Sequence, residues 1–359
     1  MSKSRRKPAP APPPQPVRSV GQGTIRQRVI ALVAVAVVLV GGTTAYLVLS
    51  RAKQQEAVRT APPQSTVSLA QVTAGPRIVF RNTAVGPAYG RVAMVPLADP
   101  GGPRALTATS CDRVFVASSR TICLASDPGV VTTYTAKTFA DSGGPTQDLP
   151  LSGIPSRARL SDDAKLAATT SFVSGDSYAA ANFSTRTVVS EIGTDRSFDL
   201  ENFRLIHRGK AIKPVDRNYW GVTFASDDDA FYVTVKFSGK TWLASGRLST
   251  RTVQTIRSDA ECPSLSPDGT KVAYKKLGSR GPGDWRLAVL DIATGKEVSL
   301  TEEHSVDDQV EWLDDDQILY GLPGEGSHAA ETNVWAVPAD GTGTPRLLIE
   351  KAWSPAVVR

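Results

Sequence analysis

Four copies of one short pattern constrain this chain more than any other feature: LSDDAKLAAT from Leu160, ASDDDAFYVT from Ala225, LSPDGTKVAY from Leu265 and WLDDDQILYG from Trp312. Each joins an apolar strand end to a second strand through an aspartate-rich tight turn. Asp suits that turn because its side chain bonds nearby backbone amides, and Gly suits it because it tolerates positive φ. A third strand and a polar turn follow each copy, and the string STRTV recurs at Ser184 and Ser249. Beyond residue 75 helical periodicity is almost absent, and short Val, Thr, Tyr and Phe runs alternate with Gly, Pro, Asp and Ser turns. Second strands are predicted to begin near residues 77, 121, 165, 230, 271 and 317, at intervals of 44, 44, 65, 41 and 46. Six four-stranded antiparallel units with a period near 44 predict an all-β, six-bladed β-propeller over residues 75–359.

The first unit lacks an innermost strand, and SPAVVR at the C-terminal end is a first-strand segment with nothing after it. It is expected to fill the gap and close the ring, which removes an exposed sheet edge. The long third interval adds FDLENFRLIHRGKAIKPVDRNYW. This insertion has three possible places: over the channel, against a partner, or packed on the side of the ring.

The segments ECPSLSPDGTKVAYKK, VDDQVEWLDDDQILYGLP and the terminal SPAVVR resemble the repeats of TolB-like propellers, in particular membrane-anchored bacterial members of that family. The resemblance spans residues 75–359. It implies the fold more than the function, because binding propellers and propellers attached to hydrolases share the same turn.

Of the 41 basic residues, seven lie within residues 1–28, which hold no acid; the remaining 34 face 35 acidic residues. The chain past residue 28 is thus nearly neutral, with no clustered basic face to neutralise phosphates, so no nucleic-acid partner is expected. Residues 29–49, VIALVAVAVVLVGGTTAYLVL, are free of charge and long enough for a membrane span. Arg26, Arg28 and the basic tail place the N-terminus in the cytoplasm and the rest of the chain on the extracytoplasmic side of the cell membrane. A cleaved signal peptide is the alternative, disfavoured by the length of the run and the lack of a prompt A-x-A site. PAPAPPPQP (residues 8–16) reads as part of a disordered cytoplasmic tail, either merely solvated or a polyproline ligand. Residues 50–74 read as a flexible linker. Cys111 and Cys123 flank a predicted hairpin, and a disulfide between them suits the extracytoplasmic side. Cys262 is left over and reads as a buried thiol.

Two motifs imitate hydrolases. DSGGP (Asp141–Pro145) copies the serine motif of chymotrypsin-like proteases, but His207, His304 and His328 all follow it, and no histidine motif precedes it. GDSYA (Gly175–Ala179) approximates a nucleophile elbow, yet lies between antiparallel strands rather than at a strand-to-helix turn. Both read as loops. The three histidines lack metal-ligand spacing, and the aspartate runs at Asp227–Asp229 and Asp314–Asp316 lack calcium-loop spacing; no metal and no cofactor is expected.

A binding surface is what remains. The loops leading into the innermost strands ring one mouth of a propeller channel, together with loops between second and third strands, which are Gly-rich here: NTAVGPAYG, FVSGDSY, GSRGPGDW and GEGSHAAE. VDRNYWG and VDDQVEW both place polar groups before a tryptophan. They nominate Asp216, Arg217, Asn218, Asp307, Asp308, Gln309 and Glu311 as channel-mouth residues, joined by Asp112, Arg113, Arg157 and Glu261. The competing reading makes Trp220 and Trp312 core residues and leaves the charges solvated. The expected function is a non-catalytic binding or assembly module of the cell envelope, with a protein or glycan partner. The enzymatic alternative is a glycoside hydrolase using Asp216, Asp307, Asp308 and Glu311 as channel carboxylates.

Overall fold

The computed structural model describes residues 25–60, 63–140, 146–173, 184–326 and 331–359. These divide into two compact units, residues 1–60 and 61–359. In the first, helix α1 (Ile25–Thr60) contains one stretch, Arg26–Lys53, long and apolar enough to cross a membrane. Its apolar side chains, Leu32 and Val38 among them, are exposed.

The second unit is a six-bladed propeller of antiparallel blades. Blade 1 holds β1 (Arg77–Asn82), β2 (Arg91–Pro96) and β3 (Ala105–Ser110); blade 2 holds β4 (Arg113–Ala117), β5 (Arg120–Asp127), β6 (Thr133–Ala140) and β7 (Gln147–Leu149). Blade 3 follows with β8 (Ile154–Leu160), β9 (Leu166–Val173), β10 (Ser184–Glu191) and β11 (Ser197–Asp199). In blade 4, β12 (Arg204–His207) and β13 (Lys210–Ile212) precede β14 (Asn218–Phe224), β15 (Ala230–Phe237), β16 (Lys240–Arg247) and β17 (Thr252–Ser258). Blade 5 is β18 (Glu261–Leu265), β19 (Lys271–Leu277), β20 (Trp285–Asp291) and β21 (Glu297–Ser299). Blade 6 is β22 (Glu311–Trp312), β23 (Gln317–Pro323), β24 (Thr332–Pro338) and β25 (Arg346–Ile349), and β26 (Ala352–Val358) ends the chain.

The last strand closes the ring as expected. β26 becomes the innermost strand of blade 1 and pairs with β1, with Arg77 opposite Val358 and Val79 opposite Ala356. Ala356 and Val358 enter the core between blades 1 and 2, while Ala352 and Val357 enter the core between blades 6 and 1. Four further apolar clusters fill the other blade interfaces. Second strands are sandwiched between neighbours on both faces, which explains their unbroken apolar runs. Ile78 and Phe80 face blade 6, and Val79 between them faces blade 2.

The repeated Asp works as its chemistry predicts. Asp163 accepts from the Lys165 amide at 3.1 Å, Asp227 from the Ala230 amide at 2.7 Å, Asp268 from the Thr270 amide at 3.0 Å and Asp314 from the Asp316 amide at 2.9 Å. Innermost strands carry a second, less legible repeat. Ser354, Cys262 and Gly221 all sit at positive φ, and the pairing register shifts beside each of them. These bulges bend the strands where the ring is narrowest. At Gly221 a Cβ would stand 2.8 Å from the Cα of Cys262, so the backbones of blades 4 and 5 meet too closely there for any side chain.

The insertion takes the third of its possible places. β12 pairs in parallel with β17 on the outer edge of blade 4, making that sheet six-stranded, and β13 caps it. The segment expected as a linker over 50–74 carries secondary structure on either side of residues 61–62, which lie outside the described residues. Helix α1 runs to Thr60, Val67 donates to the Arg104 carbonyl at 3.1 Å, and a short helix α2 (Leu69–Thr73) buries Val72 against blade 1. One buried arginine holds the part past residue 63: Arg104 bonds the backbone of Ser65 and Val67 and donates to Asn82 at 2.8 Å and to the carbonyls of Lys351 and Glu350.

Candidate functional site

The loops into the innermost strands and those between second and third strands lie on one face of the ring, here the upper face; the aspartate turns lie on the lower face. Four of the nominated residues converge beneath the upper mouth. Arg113 donates to both carboxylate oxygens of Asp308, at 3.0 and 2.7 Å, and Arg157 approaches the same carboxylate at 3.5 Å. Gln309 bonds the carbonyls of Val222 and Pro263 at 3.1 and 2.7 Å, bridging blades 4, 5 and 6. Arg157 also donates to the buried Cys262 thiol at 3.7 Å. Burial alone would raise the Asp308 carboxyl, but Arg113 and Arg157 outweigh it and hold the group below the usual carboxylate range.

Two more ion pairs flank this centre. Lys275, missed by sequence reasoning, pairs with Asp307 and lies 3.6 Å from Glu261 and 4.0 Å from the Trp285 ring centre. Burial works against its charge, but neighbouring anions, Asp307 and Glu261 among them, raise its pKa overall. Further down, Arg159, likewise missed, pairs with Glu311 and donates to the Val310 carbonyl at 2.9 Å. Four cations and four carboxylates are thus joined unevenly: Arg113 and Arg157 share Asp308, Asp307 and Glu261 share Lys275, and Arg159 takes Glu311. Arg159 carried a weak signal, standing two residues after Arg157 on the same strand and so on the same face. Lys275 carried none, because it comes from a second strand, where it stands opposite Glu261 of β18.

The nominated channel mouth is smaller than expected. Asp216 accepts from the Ser238 amide at 2.7 Å, Arg217 bonds the Glu201 carbonyl at 2.6 Å, and Asn218 accepts from the Thr185 amide of blade 3 at 3.0 Å. These three therefore bind blade 4 to its own insertion and to blade 3 instead of entering the channel. Asp112 accepts from the Ser126 amide of its own blade at 2.7 Å and lies 3.9 Å from Arg81 of blade 1. Trp220 and Trp312 are core residues, and the Trp312 indole donates to the Ser264 carbonyl at 2.9 Å. The four carboxylates of the hydrolase alternative do not form a facing pair: each is bound to its own cation or, for Asp216, to a backbone amide.

At the upper end the channel narrows to a void of about 20 Å³ between Arg113, Arg157, Asp308 and Ser354. The lower end opens into a cavity of about 520 Å³. Its floor is the Arg159–Glu311 pair, its wall includes Phe115, Phe224, Leu265 and Trp312, and its rim carries Asp162, Ser226, Asp268 and Arg359. Arg359 donates to the carbonyls of Trp312 and Leu313 at 2.7 and 3.0 Å. Partial burial raises the Asp162 carboxyl, whereas the Ser266 hydroxyl holds that of Asp268 low.

The disulfide between Cys111 and Cys123 is present, with Cα atoms 5.4 Å apart. His207 packs edge-on against Trp242 and bonds Thr255, and His304 bonds Glu302. His328, DSGGP and GDSYA lie outside the described residues. Among those described, no group of three or more His, Cys, Asp or Glu is placed to hold a metal ion.

No family model and no curated protein matches this sequence. Solved structures do. TolB from Acinetobacter baumannii aligns over 79% of this chain and 67% of its own, with 18% identity and a TM-score of 0.58. A chain of a nidogen/laminin complex aligns over 79% of this chain and 98% of its own, with 11% identity and a TM-score of 0.53. The fold is the six-bladed propeller also seen in TolB.

Proposed function

We propose that this chain is a membrane-anchored, extracytoplasmic propeller that binds a protein segment of the cell envelope at the lower mouth of its channel, without catalysing a reaction. In this reading Arg26–Lys53 is an uncleaved anchor and the N-terminus is cytoplasmic. One observation carries the site: the interior charges are spent on each other, while the lower mouth keeps a ligand-sized cavity with apolar walls and a polar rim. A mixed lining of aromatic, serine, carboxylate and guanidinium groups suits a peptide carrying both polar and apolar side chains. A propeller of similar outline occurring in a nidogen/laminin complex is consistent with such a role.

Ser226 is exposed on the rim, so Ser226→Trp fills the mouth without disturbing the core. The full chain in detergent is expected to retain a defined partner from envelope extract that Ser226→Trp does not retain. Equal retention by both proteins would move the binding site away from this mouth. Retention of a glycan in place of a protein would keep the mouth and replace the ligand class.

A further inference from the structure

The exposed apolar side chains of the propeller are distributed unevenly. The upper face carries Tyr89 on blade 1, Val130 and Val131 on blade 2, Ile154 and Phe172 on blade 3, and then Val215 and Leu277 on blades 4 and 5. Among the described residues Ile292 is exposed on the lower face, and Leu69, Ile256 and Leu347 are exposed on helix α2 and on the outermost strands β17 and β25. Val130 and Val215 stand fully exposed at loop tips, where packing within the ring gives them nothing to do. Single exposed apolar residues are ordinary, but of the eleven large ones on the described residues of the propeller seven gather on the upper face and one on the lower, a bias that points to an interaction surface.

The chain joins the propeller on that same face. Gln64 exchanges two side-chain hydrogen bonds with Asn82, at 3.2 and 3.1 Å, and Pro63 and Gln64 line a cleft with Ala84, Pro87 and Ala88, in the loop between β1 and β2. Helix α1 ends at Thr60, so only residues 61–63 separate it from this attachment. From Arg51, at the end of the apolar run, nine helical residues and a fully extended 61–63 reach no more than about 30 Å.

We propose that the upper face rests on the lipid bilayer, with the loop tips at Val130, Val131 and Val215 set into the headgroup region and Tyr89 at its boundary. The proposal rests on the reading of Arg26–Lys53 as a membrane span. Apolar tips gain free energy on leaving water for the interface, and Tyr suits that boundary because its ring is apolar and its hydroxyl polar. The lower mouth is thereby turned away from the membrane, towards envelope partners, and the closed upper end of the channel faces lipid.

The test uses the full chain in nanodiscs of phosphatidylethanolamine and phosphatidylglycerol. Val131→Cys, Val215→Cys and, on the lower face, Ile292→Cys are each labelled with an environment-sensitive fluorophore; Cys262 is buried and the other cysteines are paired. Lipids spin-labelled near the headgroup are expected to quench most of the emission at 131 and 215 and little of it at 292. Equal, weak quenching at all three sites would overturn the proposal. A blue shift at 131 and 215 without lipid quenching would also overturn it and point to a second protein copy on this face. Carbonate extraction separates the underlying reading: a chain that stays in the membrane with unquenched tips sinks the docking alone, and a chain that is released sinks the span and the docking together.

Discussion

The two ends of the channel are built from the same six strands yet differ in kind. At the upper end, Arg113, Arg157, Asp308 and Gln309 come from blades 2, 3 and 6 and close the passage with bonds to one another and to blades 4 and 5. At the lower end the strands diverge into aspartate turns, whose side chains bond within their own turns and leave a cavity. Polar residues at a propeller mouth are therefore weak indicators of a binding site. What matters is whether their bonding capacity is spent inside the protein, and at the upper end it is.

The comparison can be broken most severely through the strand that serves both ends. Deleting Pro355–Arg359 removes Ala356, Val357 and Val358 from two blade interfaces and Arg359 from the lower mouth. Loss of the cooperative unfolding transition is expected; a truncated chain that melts with the full one would refute closure by this strand. Asp308→Ala attacks the upper end alone, leaving Arg113 and Arg157 buried without their shared carboxylate, at a cost of about 3–5 kcal/mol in urea unfolding. A cost near that of a surface substitution would mean that the ion pairs do not hold the upper end shut.

Smaller effects sharpen the picture. Replacing Cys111 and Cys123 together with serine loosens the link between blades 1 and 2 and is expected to lower stability by about 3 kcal/mol, less where the unfolded chain keeps structure. The smallest effect belongs to Glu201, on the rim beside the insertion and outside the channel. Burial, with help from Asp199, pushes the Glu201 carboxyl up to about 7 although Arg217 opposes the shift. A carboxyl raised on folding stabilises the folded state fully below its unfolded value and loses that contribution as pH rises through about 7. The difference between parent and Glu201→Gln in urea midpoint should therefore fall across that window, by on the order of 1 kcal/mol after solvent screening. A flat difference would place Glu201 in water.

Much of this was legible in the sequence. Blade count, the start of every second strand, the disulfide and the turn role of aspartate all follow from residues close together in the chain, and the closing strand follows from the repeat count. Local chemistry suffices there: a turn needs its Asp within a few residues of the amides it caps, and a buried second strand needs a run of apolar side chains. The candidate site was only half legible. Arg113, Arg157, Asp308 and Gln309 meet as nominated, because each lies in or just before the innermost strand of its blade.

Asp216, Arg217 and Asn218 share with Asp307, Asp308 and Gln309 only their place before a tryptophan: Trp220 stands five residues ahead of the repeat position that Trp312 fills, so the three lie farther up, at the rim, where Arg217 meets Glu201 of the insertion. Lys275 and Arg159, by contrast, enter the channel from positions that carry no motif. Charge pairing across a ring joins residues as far as 195 positions apart, such as Arg113 and Asp308. The repeat by itself determined the ring; which mouth is shut and which is open was decided only when side chains from separate blades competed for partners in its narrow centre.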